Sequence, residues 1–182
     1  MKIRFIIAGL ILVLLTTAGG FAEEGPMDPS IGGLTPLQVK VLRATGLPVL
    51  LPTYMPQGFQ LERIIINIST KTRFGGGPSY KAIYRGGDTA FIIESASGGI
   101  GGVPGDVLKV VNSKLLGKVN LISSSQAGGM KKTDLISDWA RYENHFFRLT
   151  GPGFYSETEK LQSISPVDAE QILIFLRQVK LQ

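Results

Sequence analysis

Between Gln60 and Thr150 the apolar residues fall in short runs, several of them alternating between two faces, separated by turns that mostly carry glycine. Alternation of this kind makes strands, and strands joined by tight turns pair antiparallel. A parallel sheet needs a crossover of a dozen or more residues, usually helical, between successive strands, and no such segment interrupts the runs. The runs are Gln60 to Ser69, Ser79 to Arg85, Thr89 to Ser95, Val107 to Val111, Lys118 to Ser124, Leu135 to Tyr142 and Phe146 to Thr150. In the first, Ile64, Ile66 and Ile68 would share one face and Leu61, Arg63 and Ile65 the other. In the second, Tyr80, Ala82 and Tyr84 would point together. Gly86-Gly87-Asp88 and Glu143-Asn144-His145 are hairpin signals.

Helix signals flank this β region. Thr35-Pro36 opens a helix, with Leu37, Val41 and Leu42 on its apolar face, and Gly46 ends it. Pro48 to Pro52 is extended, and Pro56-Gln57-Gly58 fits a type II turn. Glu157 to Gln162 reads as a short helical turn. Ser165, Pro166 and Asp168 then open a final helix whose apolar stripe is Ala169, Ile172, Phe175, Leu176 and Val179. The fold class is therefore α+β: a curved antiparallel sheet of six or seven strands, with a short N-terminal helix and a C-terminal helix packed on it.

The N-terminus reads as an export signal over 1–22. Lys2 and Arg4 precede an apolar run from Phe5 to Leu15, and Gly20 and Ala22 occupy the −3 and −1 positions of a cleavage site before Glu23. The alternative is an uncleaved anchor, since Phe5 to Ala22 is 18 residues without a charge, at the lower limit for a spanning helix. Either way the remainder crosses the membrane, so the expected location is extracytoplasmic, in the periplasm or secreted. Residues 23–33 form a Pro- and Gly-rich flexible leader and 34–182 a single domain. Without 1–22 the chain has 17 basic and 14 acidic residues, a formal +3 in place of +5, which is no electrostatic footprint for nucleic acid.

The chain has no cysteine and one histidine, His145. That excludes disulfides, thiol catalysis, thiolate metal sites and any site needing two imidazoles. Gly98 to Gly105 lacks the spacing and the following helix of a phosphate loop. His145 has no nucleophile-elbow serine to serve, Asp134 and Asp138 read with Glu62 and Glu94 as solvated strand-face carboxylates, and no oxygen-ligand calcium spacing occurs. Lys71, Arg73, Lys109, Lys114, Lys118, Lys131 and Lys132 form a thin basic scatter, and Asn67-Ile68-Ser69 matches a glycosylation sequon within a strand. Trp139 and Phe146 are placed to meet across a hairpin. Phe154 and Tyr155, after Gly151-Pro152-Gly153, are the exposed aromatic pair and the candidate contact site. No catalytic residue, cofactor or metal is expected.

The segment Leu51-Pro-Thr-Tyr-Met-Pro-Gln-Gly-Phe-Gln-Leu61 resembles the Pro-x-Tyr-Leu-Pro-x-Gly-aromatic opening of a bacterial domain family of unknown function. The likeness continues through Tyr80 to Ile93, Trp139, Phe147 to Gly151 and the Ser165 to Ala169 helix start. The family occurs in envelope proteins and the outer domains of anti-sigma factors, and is similar in layout to the C-terminal domain of RseB and, more distantly, to the lipoprotein carrier LolA. The resemblance implies binding or sensing without catalysis. This chain differs in lacking a lipid-attachment cysteine and a clear cytoplasmic domain. The expected function is that of an exported, non-catalytic envelope protein with a protein partner. The alternatives are a carrier of a lipid or other hydrophobic ligand, with an Ile- and Phe-rich sheet face as its wall, and a hydrolase using Asp134, Asp138 or His145.

Overall fold

The computed structural model describes residues 33–68, 77–98, 101–102, 104–124, 134–155, 158 and 160–180. The expected signal segment, all of the leader except Gly33, and the residues Ser69, Lys71, Arg73, Lys131, Lys132 and Glu157 lie outside the described residues.

Thr35 caps α1 (Pro36–Thr45) in a reciprocal box: its Oγ1 accepts from Gln38 N at 3.3 Å, and its own N–H donates to Gln38 Oε1 at 2.7 Å. Gly46 at φ 65° closes the helix. Leu42 is fully buried, but Leu37 is 70% exposed. Five residues turn a helix by about 140°, so Leu37 does not share the inward face expected for it.

The chain then runs β1 (Leu50–Pro52), β2 (Gln60–Asn67), β3 (Ser79–Gly86), β4 (Thr89–Ala96), β5 (Asp106–Ser113), β6 (Gly117–Ser124), β7 (Asp134–Ser137), β8 (Ala140–Tyr142) and β9 (His145–Thr150). A 3-10 turn (Pro152–Phe154), β10 (Gln162–Ser163), α2 (Pro166–Ile174) and β11 (Leu176–Gln178) complete it. The main sheet has the open order β2-β3-β4-β9-β7-β6-β5, antiparallel throughout, so its path has seven strands, within the six or seven expected. Two short strands lie off that path: β8 pairs with β9, and β10 runs parallel to the start of β4. The chain leaves β4 for the far edge at β5 and walks back, so β9 inserts beside β4.

Three local readings change. Gln60 to Asn67 carries a β-bulge between Leu61 and Arg63, and the extra residue moves Leu61 onto the core-facing side with Ile64 and Ile66. Ile68 lies past the end of β2 and is 71% exposed. The run expected as one strand from Leu135 to Tyr142 breaks at Asp138 and Trp139 into β7 and β8. The final helix stops at Ile174, because Leu176 to Gln178 leaves it to pair antiparallel with β1. Leu176 and Val179 are buried all the same, Leu176 within the strand and Val179 just past it with its N–H on Val49 O, and not as a helical stripe.

Tyr80, Ala82, Tyr84, Phe91, Ile93, Phe147 and Leu149 project from the central strands into one core, closed by Leu42, the β1–β11 ribbon and the α2 residues Ala169, Ile172 and Leu173. Tyr80 ties the ribbon to the sheet: its hydroxyl accepts from Leu50 N at 2.8 Å and donates to Leu50 O at 2.9 Å.

Candidate functional site

Side chains alternate across a strand, so the opposite face of the sheet has its own population. Ile83, Ile92, Thr150, Ile136 and Ile122 lie in one cross-strand row over β3, β4, β9, β7 and β6, all buried apart from the main core. The next row is charged, with Lys81 opposite Glu94 and Glu94 opposite Arg148.

Glu94 is 5% exposed, which corrects its reading as a solvated strand-face carboxylate. A buried carboxylate is tolerable only when its oxygens are engaged. Arg148 Nε donates to Glu94 Oε1 in an ion pair, and the Tyr155 hydroxyl donates to Oε2. Burial, and then the Glu94 charge, pushes the Tyr155 hydroxyl well above the ordinary tyrosine range. Lys81 Nζ stands 3.5 Å over the Tyr155 ring, and the Arg148 guanidinium lies 4.3 Å from the Trp139 ring and 5.9 Å from that of Phe154. The expected contact pair thus belongs to a cluster. Phe154 and Tyr155 are half-buried, not exposed, because the loop after β9 folds back over the sheet and Tyr155 anchors it to Glu94. The Trp139 ring meets Arg148 in place of the expected Phe146, and Phe146 pairs in register with Arg141. Glu94 and Arg148 were missed as partners, although each is a lone charge inside an apolar strand, at Ala90 to Ser95 and Phe146 to Thr150.

The hydrolase candidates are not brought together. Asp134 is 3% exposed and sits under the Gly151-Pro152-Gly153 loop, its Oδ2 accepting from Gly153 N and its Oδ1 from Leu135 N at 2.8 Å. Asp138 accepts from Asn120 N and Nδ2, both at 2.9 Å. Asp134 faces Ser124 on β6 while Asp138 holds Asn120 of the same strand, so the two attachment points are four residues apart, about 13 Å along a strand. His145 begins β9 opposite Tyr142. Among the described residues no three potential metal ligands cluster. Of the basic scatter, Lys109 is taken up by Glu170 at 2.6 Å.

A different surface stands out at the end of the sheet. Among the described residues nothing pairs with the outer side of β5. Val107, Leu108 and Val110 are 56%, 49% and 51% exposed, three large apolar side chains within four residues. A β-bulge between Val107 and Lys109 turns Leu108 out, after which Lys109 to Ser113 pairs regularly with β6. Val107 and Val110 project on the face opposite the core, as their partners Ile122 and Asn120 do. Lys114 stands exposed just past Ser113, and Lys118 stands exposed on β6 opposite Asn112. Comparison with protein-family models and with curated proteins finds no match for the chain.

Proposed function

We propose that the protein is an exported, non-catalytic binding module of the bacterial envelope, as the family resemblance implies, and that a partner protein docks by adding an extended strand to β5. The observation that carries this is that among the described residues nothing pairs with the outer side of β5, where Val107, Leu108 and Val110 are exposed. An open apolar edge invites strand addition, in which main-chain hydrogen bonds supply affinity and alternate side chains supply specificity. The matching segment is apolar opposite Val107 and Val110 and acidic toward Lys114 and Lys118. The separation of Asp134, Asp138 and His145 supports a role without catalysis. The rival lipid carrier needs a chain-sized groove on the Ile- and Phe-rich face, and the packing of the helices and the β1–β11 ribbon on that face favours the partner reading.

The test places a photo-crosslinking residue at Val110, and as a control at Lys40, in the full chain expressed with its own leader. A discrete adduct specific to Val110 is expected. The identified protein, purified, should then bind at least tenfold more weakly to Val110→Lys and should protect β5 amides from hydrogen exchange. Equal crosslinking at Lys40, or unchanged binding by Val110→Lys, refutes the docking edge. Retention of the full chain in the cytoplasm refutes export.

A further inference from the structure

A cavity of about 260 Å³ opens at the other end of the sheet, between the turn that follows β1 and the start of β2. Pro52, Met55, Phe59 and Leu61 supply its apolar lining with the buried Tyr84 behind them, and Gly33, Thr53 and Gln60 complete it. The cavity exists because of two features already described. The type II turn at Pro56 to Phe59, with Gly58 at φ 81° and Phe59 N bonded to Pro56 O at 3.1 Å, carries Phe59 back over the sheet. The bulge after Leu61 then points Leu61 inward beside it.

Phe59 is held in place from behind, its ring centroid 5.7 Å from that of Phe91, which in turn stacks on Tyr84 at 4.7 Å. Gly86 leaves room for the Phe59 ring, since a Cβ there would come within 2.5 Å of it. The Phe59 ring, backed by Phe91, and the Met55 thioether form a wall suited to another ring, with the buried Tyr84 behind them. Among the described residues none that lines the cavity carries a charge at neutral pH: burial pushes the Tyr84 hydroxyl far above the ordinary tyrosine range, and it stays protonated. A charged guest would lose its hydration with no counter-charge in return. The volume suits about ten non-hydrogen atoms; a dry cavity of roughly 150 Å³ already takes benzene.

We infer that this cavity is a binding site for a compact, neutral aromatic molecule of one or two rings, seated against Phe59 and Met55. The site is independent of the β5 edge, at the opposite end of the sheet, and neither reading depends on the other.

The test uses 5-fluoroindole as the probe, titrated into the full exported protein and followed by fluorine NMR, with the Met55 methyl resonance reporting location. Saturable binding that shifts the Met55 methyl is expected. Benzoate and benzylammonium should bind at least tenfold more weakly. Gln60→Trp, which fills the cavity from its exposed rim, should weaken 5-fluoroindole at least tenfold while leaving thermal unfolding intact. If that variant fails to fold, Met55→Ala should instead alter the affinity at least threefold. Absence of saturable binding, equal affinity for the charged analogues, or binding unaffected by either variant overturns the inference.

Discussion

Replacing Gly151 by alanine tests whether Asp134 is a structural carboxylate. Gly151 has φ −75° and ψ 170°, a conformation any residue adopts, so alanine meets no backbone penalty. Its Cβ, however, would fall 1.7 Å from Asp134 Oδ1 and 2.5 Å from Ser163 Oγ. Asp134 is almost wholly buried and held by the Gly153 and Leu135 amides, so the carboxylate can move only by breaking those bonds. Overpacking of a buried site costs about 1–3 kcal/mol. Loss of a hydrogen bond to a charged group adds about 1.5–3 kcal/mol. Gly151→Ala should therefore destabilise the domain by about 3–5 kcal/mol and lower Tm by about 10 °C for a chain of this size. Chemical denaturation should give the free energy, and the same substitution in an Asp134→Ala background should cost at least about 2 kcal/mol less, since Asp134 Oδ1 and Cγ, the two atoms nearest the new Cβ, are gone. A cost below about 1 kcal/mol, or one unchanged in the Asp134→Ala background, would refute the reasoning.

The remaining predictions concern the charged row, the tyrosines and the bulge. Glu94→Gln should cost about 3–5 kcal/mol by urea denaturation, because it strands the Arg148 guanidinium beside a neutral amide in a largely buried site, and Arg148→Met in the same chain should recover part of that loss. Tyr80, Tyr84 and Tyr155 all hold their protons above the ordinary value of 10.0, chiefly through burial. The native state thus keeps protons that the unfolded chain releases, so this contribution is fully present below about pH 10 and falls as pH rises beyond it. Near-ultraviolet titration should show these three tyrosines ionising only as the protein unfolds, and their smooth ionisation in the folded state would contradict the burial. Leu61→Ser should destabilise by about 1–2 kcal/mol, and Ile65→Ser by less than half as much, in thermal unfolding; the reverse order would place the β2 bulge wrongly.

Much of the architecture was legible because it rests on local rules. Thr35 with Pro36, Gly46, the Pro56 to Phe59 turn, the Gly86 to Asp88 hairpin and the Ser165-Pro166 helix start act through neighbouring backbone atoms, and all appear where the residues place them. The inward set Tyr80, Ala82 and Tyr84 follows from period-two alternation alone. The readings that failed involve partners distant in sequence. Nothing near Leu176 announces that it will leave the helix; β1, more than a hundred residues earlier, draws it into a ribbon. The exposure of Phe154 and Tyr155 was misjudged for the same reason, since Glu94 and Lys81 lie on strands that local reasoning cannot bring beneath that loop.

The candidate sites divide along this line. Local signals were enough for an antiparallel sheet with capped helices at either end, because turns, caps and alternation are short-range and strong. Composition also excluded thiol and two-imidazole chemistry, since the residues are absent. Contacts across the assembled fold set the rest: that β5 is an edge among the described strands, that Glu94 is buried between Arg148 and Tyr155, and that Phe59, Leu61 and Met55 line a cavity. Strand order, the burial of a charge and the shape of a void are properties of contacts between segments far apart in the chain. A strand carries the same alternation whether its outer side is paired or open, and the assembled sheet alone settles which.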